Sequence, residues 1–312
     1  MRNHPWWPWV KRIVGTVFVA AVAFLLVRYA RNVDWGEVKQ SVLELPRSTL
    51  MTAFVFAAAS HLVYSLLDLV GRHYTGHRLS KRKVMQISFI SYAFNLNLGS
   101  LVGGIGFRYR LYGKLGIRYS QITRIVTMSM LTNWLGYILL AGLVFTIAPL
   151  QLPPHWSLDS EELRMLGVGL LAFSVVYLLL CAFSPRRSWT VRGHEIELPT
   201  LRMACAQLSI SCTHWLTMAA VPWVLLQGQV DYPTALSVLL MAAIAGVILH
   251  IPAGLGVTEA VFIALLSHRI PEHQLLGALL AYRAIFYLTP LIAGALLYLK
   301  VEMRTRKHAP AA

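Results

Sequence analysis

Runs of apolar residues long enough to enter and cross a membrane recur at 13–27, 49–69, 122–150, 163–183, 201–226 and 275–299, and nothing else in this chain restricts its folding as strongly. Some 30 Å of hydrocarbon takes roughly 20 apolar residues as an α-helix. A peptide group left without a partner in lipid costs several kcal/mol, so such runs must be helical. With 57% hydrophobic and 13% charged residues and a mean hydropathy of +0.59, the chain lies outside the soluble range. An all-α polytopic membrane protein is expected, with a single membrane domain over 1–312 and six full spans. The first run follows Lys11 and Arg12 as a signal peptide would, but Val27, Arg28 and Tyr29 offer no small-residue cleavage site, so a retained anchor is expected. Trp6, Trp7 and Trp9 suit the headgroup belt before it.

The formal net charge is +15. The basic residues lie in short loops between apolar runs rather than on one soluble face, which argues against nucleic acid and for anionic headgroups. Lysine and arginine excess marks cytoplasmic loops. The 72–83 loop carries Arg72, Arg78, Lys81, Arg82 and Lys83 without an acid and is placed inside, with the 184–199 loop and the tail containing Lys300, Arg304, Arg306 and Lys307. Asp159, Glu161 and Glu162 mark an outer loop, as does the 227–231 turn. Both termini are then cytoplasmic. The 28–48 loop falls outside despite Arg28, Arg31, Lys39 and Arg47, which Asp34, Glu37 and Glu44 intersperse.

Two apolar segments do not fit a full crossing. Residues 84–107 lie between Lys83 and the basic stretch of Arg108, Arg110, Lys114 and Arg118, so both flanks are expected on the inside. Residues 234–266 lie between an outer turn and a last span that ends inside. Each is expected to be a re-entrant helical hairpin, one in each half of the chain (1–150 and 163–300), entering from opposite faces in inverted pseudo-symmetry. The breaks are expected at Gly99, Gly103, Gly104 and Gly106 in the first, and at Pro252, Gly254 and Gly256 in the second. Broken helices at membrane depth are tolerated where protein or water satisfies them, so they tend to line a cavity.

The candidate substrate-binding residues follow from that geometry. Glu259 is an acid in an apolar stretch just past Gly254 and Gly256; a charge at the bilayer centre costs about 2.5–3.5 kcal/mol on the insertion scale. It reads either as a functional acid or as a first-turn partner of the helix dipole. Arg108 and Arg110 follow the first glycine cluster and offer bidentate forks for a lipid phosphate, or ordinary positive-inside anchoring. Arg283, between Tyr282 and Phe286, needs an acid, carbonyls or a phosphate at its depth; a structural pair with Glu259 is the alternative to a ligand role. Asn95, Asn97 and Asn133 read as interhelical bridges or headgroup ligands. Asp68 is placed at the interface by Arg72 and His73, while His61, on the same face, would otherwise suit a proton relay.

No metal or cofactor site is expected: His214 and His250 stand singly, Cys181, Cys205 and Cys212 form no C-x-x-C pair, and no H-E-x-x-H, G-x-S-x-G, Walker loop or Rossmann fingerprint is present. The 184–199 loop, with alternation around Gly193 that suits a small hairpin, is too short for a catalytic domain. The chain is not expected to be an enzyme.

Residues 91–116 (SYAFNLNLGSLVGGIGFRYRLYGKLG), 132–142 (TNWLGYILLAG), 244–265 (IAGVILHIPAGLGVTEAVFIAL) and 280–290 (LAYRAIFYLTP) carry a resemblance. The chain resembles, over nearly its whole length, the YbhN-type inner-membrane proteins of the flippase-like family named for the transmembrane region of lysylphosphatidylglycerol synthase. The resemblance implies a bacterial inner-membrane domain that moves lipids between leaflets, with Arg108, Arg110, Glu259 and Arg283 in its polar core. Synthase members carry a soluble aminoacyl-transferase domain after this region; the present sequence stops at Ala312, so lysyl transfer is not expected. The expected function is transport of an anionic or other phosphate-bearing phospholipid, with membrane lipids and a lipid synthase or transport protein as partners. A small-solute or ion-coupled transporter and a non-transporting scaffold of a lipid synthase are the alternatives.

Overall fold

The computed structural model describes residues 35–148, 150, 152, 159–191, 194–249, 251 and 254–307. The expected 13–27 span and Pro252 lie outside the described residues. The order is α1 (Trp35–Leu43), α2 (Arg47–Ser65), α3 (Leu67–Thr75), α4 (Lys81–Gly99), a π-helical segment (Ser100–Gly106), α5 (Phe107–Lys114), α6 (Tyr119–Ile147) and α7 (Ser160–Phe183). A two-stranded hairpin follows, β1 (Ser188–Val191) with β2 (His194–Glu197), pairing antiparallel with Ser188 opposite Glu197. Then come α8 (Leu201–Leu225), α9 (Tyr232–Leu249), α10 (Val257–Leu266), α11 (Glu272–Tyr282), a second π-helical segment (Arg283–Leu288) and α12 (Thr289–Lys307).

Six helices among the described residues are long and apolar enough to cross a membrane: Arg47–Thr75, Tyr119–Ile147, Ser160–Phe183, Leu201–Leu225, Tyr232–Leu249 and Glu272–Met303. Five match expected spans to within a few residues. The sixth differs from expectation: α9, the first arm of the 234–266 segment, has 18 residues without a charge, about 27 Å at 1.5 Å per residue, enough for a crossing by itself. Its return arm α10 has 10 residues, about 15 Å, or half a bilayer. The expected strand alternation after Ser184 is realised in β1 and β2.

Lipid tails are as apolar as leucine, so helices in a bilayer associate through close packing of small residues and polar bonds rather than through water exclusion. Ala53 and Ala57, four apart and buried, face α2 inward, and one turn on Ser60 Oγ meets His214 Nδ1 of α8 at 3.0 Å. The main core gathers Phe145, Trp215, Met218, Phe262, Tyr282 and Phe286 between α6, α8, α10 and α11. A second cluster, Ile90, Tyr112, Ile122 and Ile125, holds the first hairpin against α6. By contrast α7 leaves Phe173, Val175, Val176 and Leu179 exposed in one stretch, a surface suited to lipid.

Each of the two expected segments folds into two helical arms that pack on one another. The chain leaves α4 at Gly99, whose φ of 80° is the left-handed region open to glycine, and the π-helical segment doubles back on α4. A Cβ on Gly103 would lie 2.2 Å from the backbone N of Asn95, so only glycine allows the approach. Phe94 and Phe107 stack across the turn with centroids 4.1 Å apart. In the second hairpin α10 packs back along α9.

The polar contacts sort the loops onto two faces. Lys114 and Arg110 meet Glu302 at 2.5 and 3.3 Å, and Gln121 bonds the Thr75 carbonyl. On the other face Gln229 bonds Gln274 at 3.1 Å and His273 approaches Glu37 at 3.3 Å. Helix α1, the described part of the 28–48 loop, therefore shares a face with the 227–231 turn.

Candidate functional site

Each hairpin is fastened by one arginine–carboxylate pair whose guanidinium also holds a glycine carbonyl of the hairpin. In the first, Arg108, one residue into α5, donates from Nε to both oxygens of Asp68 on α3 (3.1 and 3.0 Å) and from Nη2 to Oδ1 at 2.9 Å. Its Nη1 donates to the Gly104 carbonyl at 2.9 Å. Tyr112 Oη and Ser129 Oγ donate to the same carboxylate at 3.0 and 2.7 Å. The carboxylate side chain is 0% exposed and the arginine side chain 4%. A buried charge persists only when paired and bonded in this way.

In the second pair the roles are exchanged between hairpin and spanning helix. Glu259 lies in the first turn of α10, and Arg283 opens the π-helical segment after α11. Arg283 Nε donates to Glu259 Oε1, while Nη2 donates to Oε2 at 2.9 Å and to the Gly254 carbonyl at 3.0 Å. Its guanidinium also lies 5.3 Å from the centre of the Tyr287 ring, within cation–π range. Gly254 and Gly256 take positive φ, 55° and 76°, which turns the Gly254 carbonyl and the start of α10 toward the arginine. This pair is less closed: both side chains keep about 15% exposure, 15% for Arg283 and 16% for Glu259.

The expected site residues thus separate. Glu259 and Arg283 come together as the pair that the sequence left as an alternative. Arg108 is sealed against Asp68, and its donors are occupied. The expectation for Asp68 is corrected: it is fully buried rather than interfacial, because Arg108, Tyr112 and Ser129 supply the solvation that water would have given. Arg110 is exposed, bridging to Glu302 with its guanidinium 5.8 Å from the Tyr298 ring centre. Asn95 sits half-buried with its side-chain oxygen where a Cβ on Gly104 would fall, 2.9 Å away. Asn133 joins α6 to α8 through its carbonyl, which accepts from Ser211 Oγ and Trp215 Nε1 at 2.8 and 3.1 Å. Gly106 has helical φ and ordinary space around it, so no strain demands glycine there.

Asn97 takes the bridging one of the two roles read for it, while Tyr287, Tyr112 and Ser129, which were not singled out, build the site. Asn97 Nδ2 donates to Ala93 and Tyr287 carbonyls at 2.9 and 3.2 Å, linking the first hairpin to the turn that carries Arg283. Tyr287 is its buried aromatic wall. His214 bonds Ser60 and, at 3.2 Å, the Tyr92 hydroxyl, and serves as an interhelical bridge. His61 and Asp68 stand on either side of the helix break at Leu66 with no bond between them among the described residues, so the relay given as the lesser alternative is not formed. Asp68 was open to the same reasoning as Glu259, an acid inside an apolar run.

Six helices among the described residues that are long and apolar enough to cross a bilayer, packed with two helical hairpins that are each tied by an arginine–carboxylate pair, define a multi-pass membrane protein. Residues 12–294 match the family described as lysylphosphatidylglycerol synthase TM region, and the chain belongs to that family. It is 48% identical to the inner membrane protein YbhN of Escherichia coli K12 over 307 residues, covering 98% of this chain and 96% of that protein. An uncharacterized protein of Synechocystis sp. is 28% identical over 93% of the chain and 92% of its own length. Phosphatidylglycerol lysyltransferase of Staphylococcus aureus is 23% identical over 92% of this chain, a match that covers 34% of the lysyltransferase.

Proposed function

We propose that this protein moves an anionic phospholipid across the bacterial inner membrane without itself carrying out covalent chemistry. The observation that carries the reading is the partly open Glu259–Arg283 pair, held between a broken hairpin and a π-helical turn at membrane depth. The guanidinium fork that grips Glu259 fits a lipid phosphate equally well. A phosphate arriving at Arg283 displaces the carboxylate, which takes up a proton as it leaves; Glu259 losing that proton and returning to the arginine releases the phosphate. The exchange keeps one anion on the arginine at each stage, which avoids an uncompensated buried charge.

In this reading the two hairpins enter from opposite faces, both termini are cytoplasmic, and one half rocks against the other to expose the pair to each leaflet in turn. The exchanged placing of acid and arginine in the two pairs supports that inverted relation. Arg110, at the Glu302 end, gathers headgroups at the cytoplasmic surface. The membership of the family, and the phosphatidylglycerol named for one relative, support phosphatidylglycerol as the first lipid to test, with a lipid synthase or transport protein as a further partner.

The test is reconstitution into liposomes with a leaflet-resolved assay of labelled phosphatidylglycerol, under an imposed proton gradient and under a membrane potential. Wild type moves the lipid; Glu259→Gln and Arg283→Gln each lower the rate at least about tenfold, the scale of one lost charge-assisted bond. Folded wild-type protein that moves no lipid under either gradient refutes the proposal.

A further inference from the structure

A groove of about 520 Å³ lies between α2, α4 and the turn leading into α12, apart from the two charge pairs. From Phe54 to Ser65 on α2 it extends eleven residues, about 16 Å at the helical rise. That gives a mean cross-section of about 30 Å². Hydrocarbon chains packed at carbon–carbon contact distances of about 4–4.5 Å take roughly 20 Å² each, so the groove admits one chain and not two.

Its walls are apolar along most of their length, including Phe54, Met85, Phe89 and Leu297, and its polar groups have defined places. Arg82 stands at one end, exposed, flanked by the exposed Lys81 and Lys83, and makes no ion pair or hydrogen bond among the described residues. His61 lies in the wall, 1% exposed. Its Nδ1 donates to the Ala57 carbonyl at 2.9 Å, and its Nε2 is buried without a partner. A surface evolved only to pack against bulk lipid has no use for an unsatisfied ring nitrogen in its wall or for an unpaired guanidinium at its end.

We infer that this groove is a lipid-binding site distinct from the Glu259–Arg283 pair, taking one acyl chain of an anionic bilayer phospholipid with the headgroup phosphate on Arg82. The phosphate complements the basic Lys81-Arg82-Lys83 end, and the chain lies along Phe89 past the His61 ring. The choice of a lipid occupant rests on the transport reading, but occupancy of the groove does not require that transport occur.

The experiment uses the full-length protein in vesicles of phosphatidylcholine doped with phosphatidylglycerol or phosphatidylcholine carrying a diazirine in one acyl chain, with cross-linked residues mapped by mass spectrometry. At Phe54, Met85 and Phe89 the phosphatidylglycerol probe labels about fivefold more than the phosphatidylcholine probe, the discrimination one basic residue gives near a membrane surface. At Phe173 and Val176, exposed on α7, the two probes label alike. Arg82→Gln abolishes the preference in the groove and Arg82→Lys retains it. Equal labelling by the two probes in the groove, or a preference that survives Arg82→Gln, overturns the inference. Because labelling is read without transport, a positive groove with no lipid movement refutes only the transport reading, and movement with an unselective groove refutes only this one.

Discussion

Asp68→Asn removes the charge that holds Arg108 in the first hairpin and leaves the guanidinium buried without a counter-ion. In the native protein that guanidinium makes three bonds to the carboxylate, and Tyr112 and Ser129 donate to it as well. Breaking a fully buried pair by removing one partner costs about 3–5 kcal/mol. For a chain of 312 residues, an unfolding entropy of roughly 2.1 cal/mol/K per residue converts this to a fall in Tm of about 5–8 °C. Glu259→Gln in the partly exposed second pair costs less, about 1–3 kcal/mol, because water reaches the groups left behind. The assay is thermal unfolding in detergent of Asp68→Asn, Arg108→Gln and the double variant. The double variant falls short of the sum of the two single losses by about 2–3 kcal/mol, since no unpaired charge remains buried. Single variants that each cost under about 1 kcal/mol, or losses that simply add, refute the view that this pair fastens the hairpin.

Gly103→Ala sets a Cβ 2.2 Å from the Asn95 backbone nitrogen; we expect at least the upper end of the overpacking range, about 3 kcal/mol, read as lower Tm, while Gly106→Ala is nearly silent. His77, in the loop after α3, has its pKa lowered below 6.5, first by burial and then by Arg72, and its Nδ1 accepts from the Leu79 N–H at 3.3 Å. The folded state therefore resists a proton that the unfolded chain accepts, so stability is highest above about pH 6.5 and falls as pH drops toward the folded pKa. His77→Gln flattens that part of the Tm–pH curve; an unchanged slope refutes the assignment. In a background without native cysteines, Lys81→Cys and Arg118→Cys both react with an impermeant maleimide only from the cytoplasm, and Gln229→Cys and His268→Cys only from outside. Labelling of either couple from opposite sides refutes the corresponding re-entrant hairpin.

Span lengths, break positions and loop charge were legible in the sequence because each depends on residues close together in the chain. A run of apolar residues has one solution in lipid, a helix, and glycine clusters at 99–106 and 254–256 mark where that helix is interrupted. The partners were not legible to the same degree. Glu259 and Arg283, 24 residues apart, stood out because each is a charge in an apolar segment. Asp68 and Arg108, 40 apart, were separated in the reading because Asp68 has basic neighbours in its own helix that imitate an interfacial position. Only the packing of α3 against α6 and the first hairpin carries Asp68 inward.

By itself, then, the sequence determined that this chain is a bundle of apolar helices with two interrupted segments and a basic face, since the cost of unpaired peptide groups in lipid leaves no other solution. The tertiary structure decided which charge answers which. It buried Arg108 and left Glu259 and Arg283 partly exposed, because exposure and pairing depend on how helices distant in sequence pack, which no local pattern encodes.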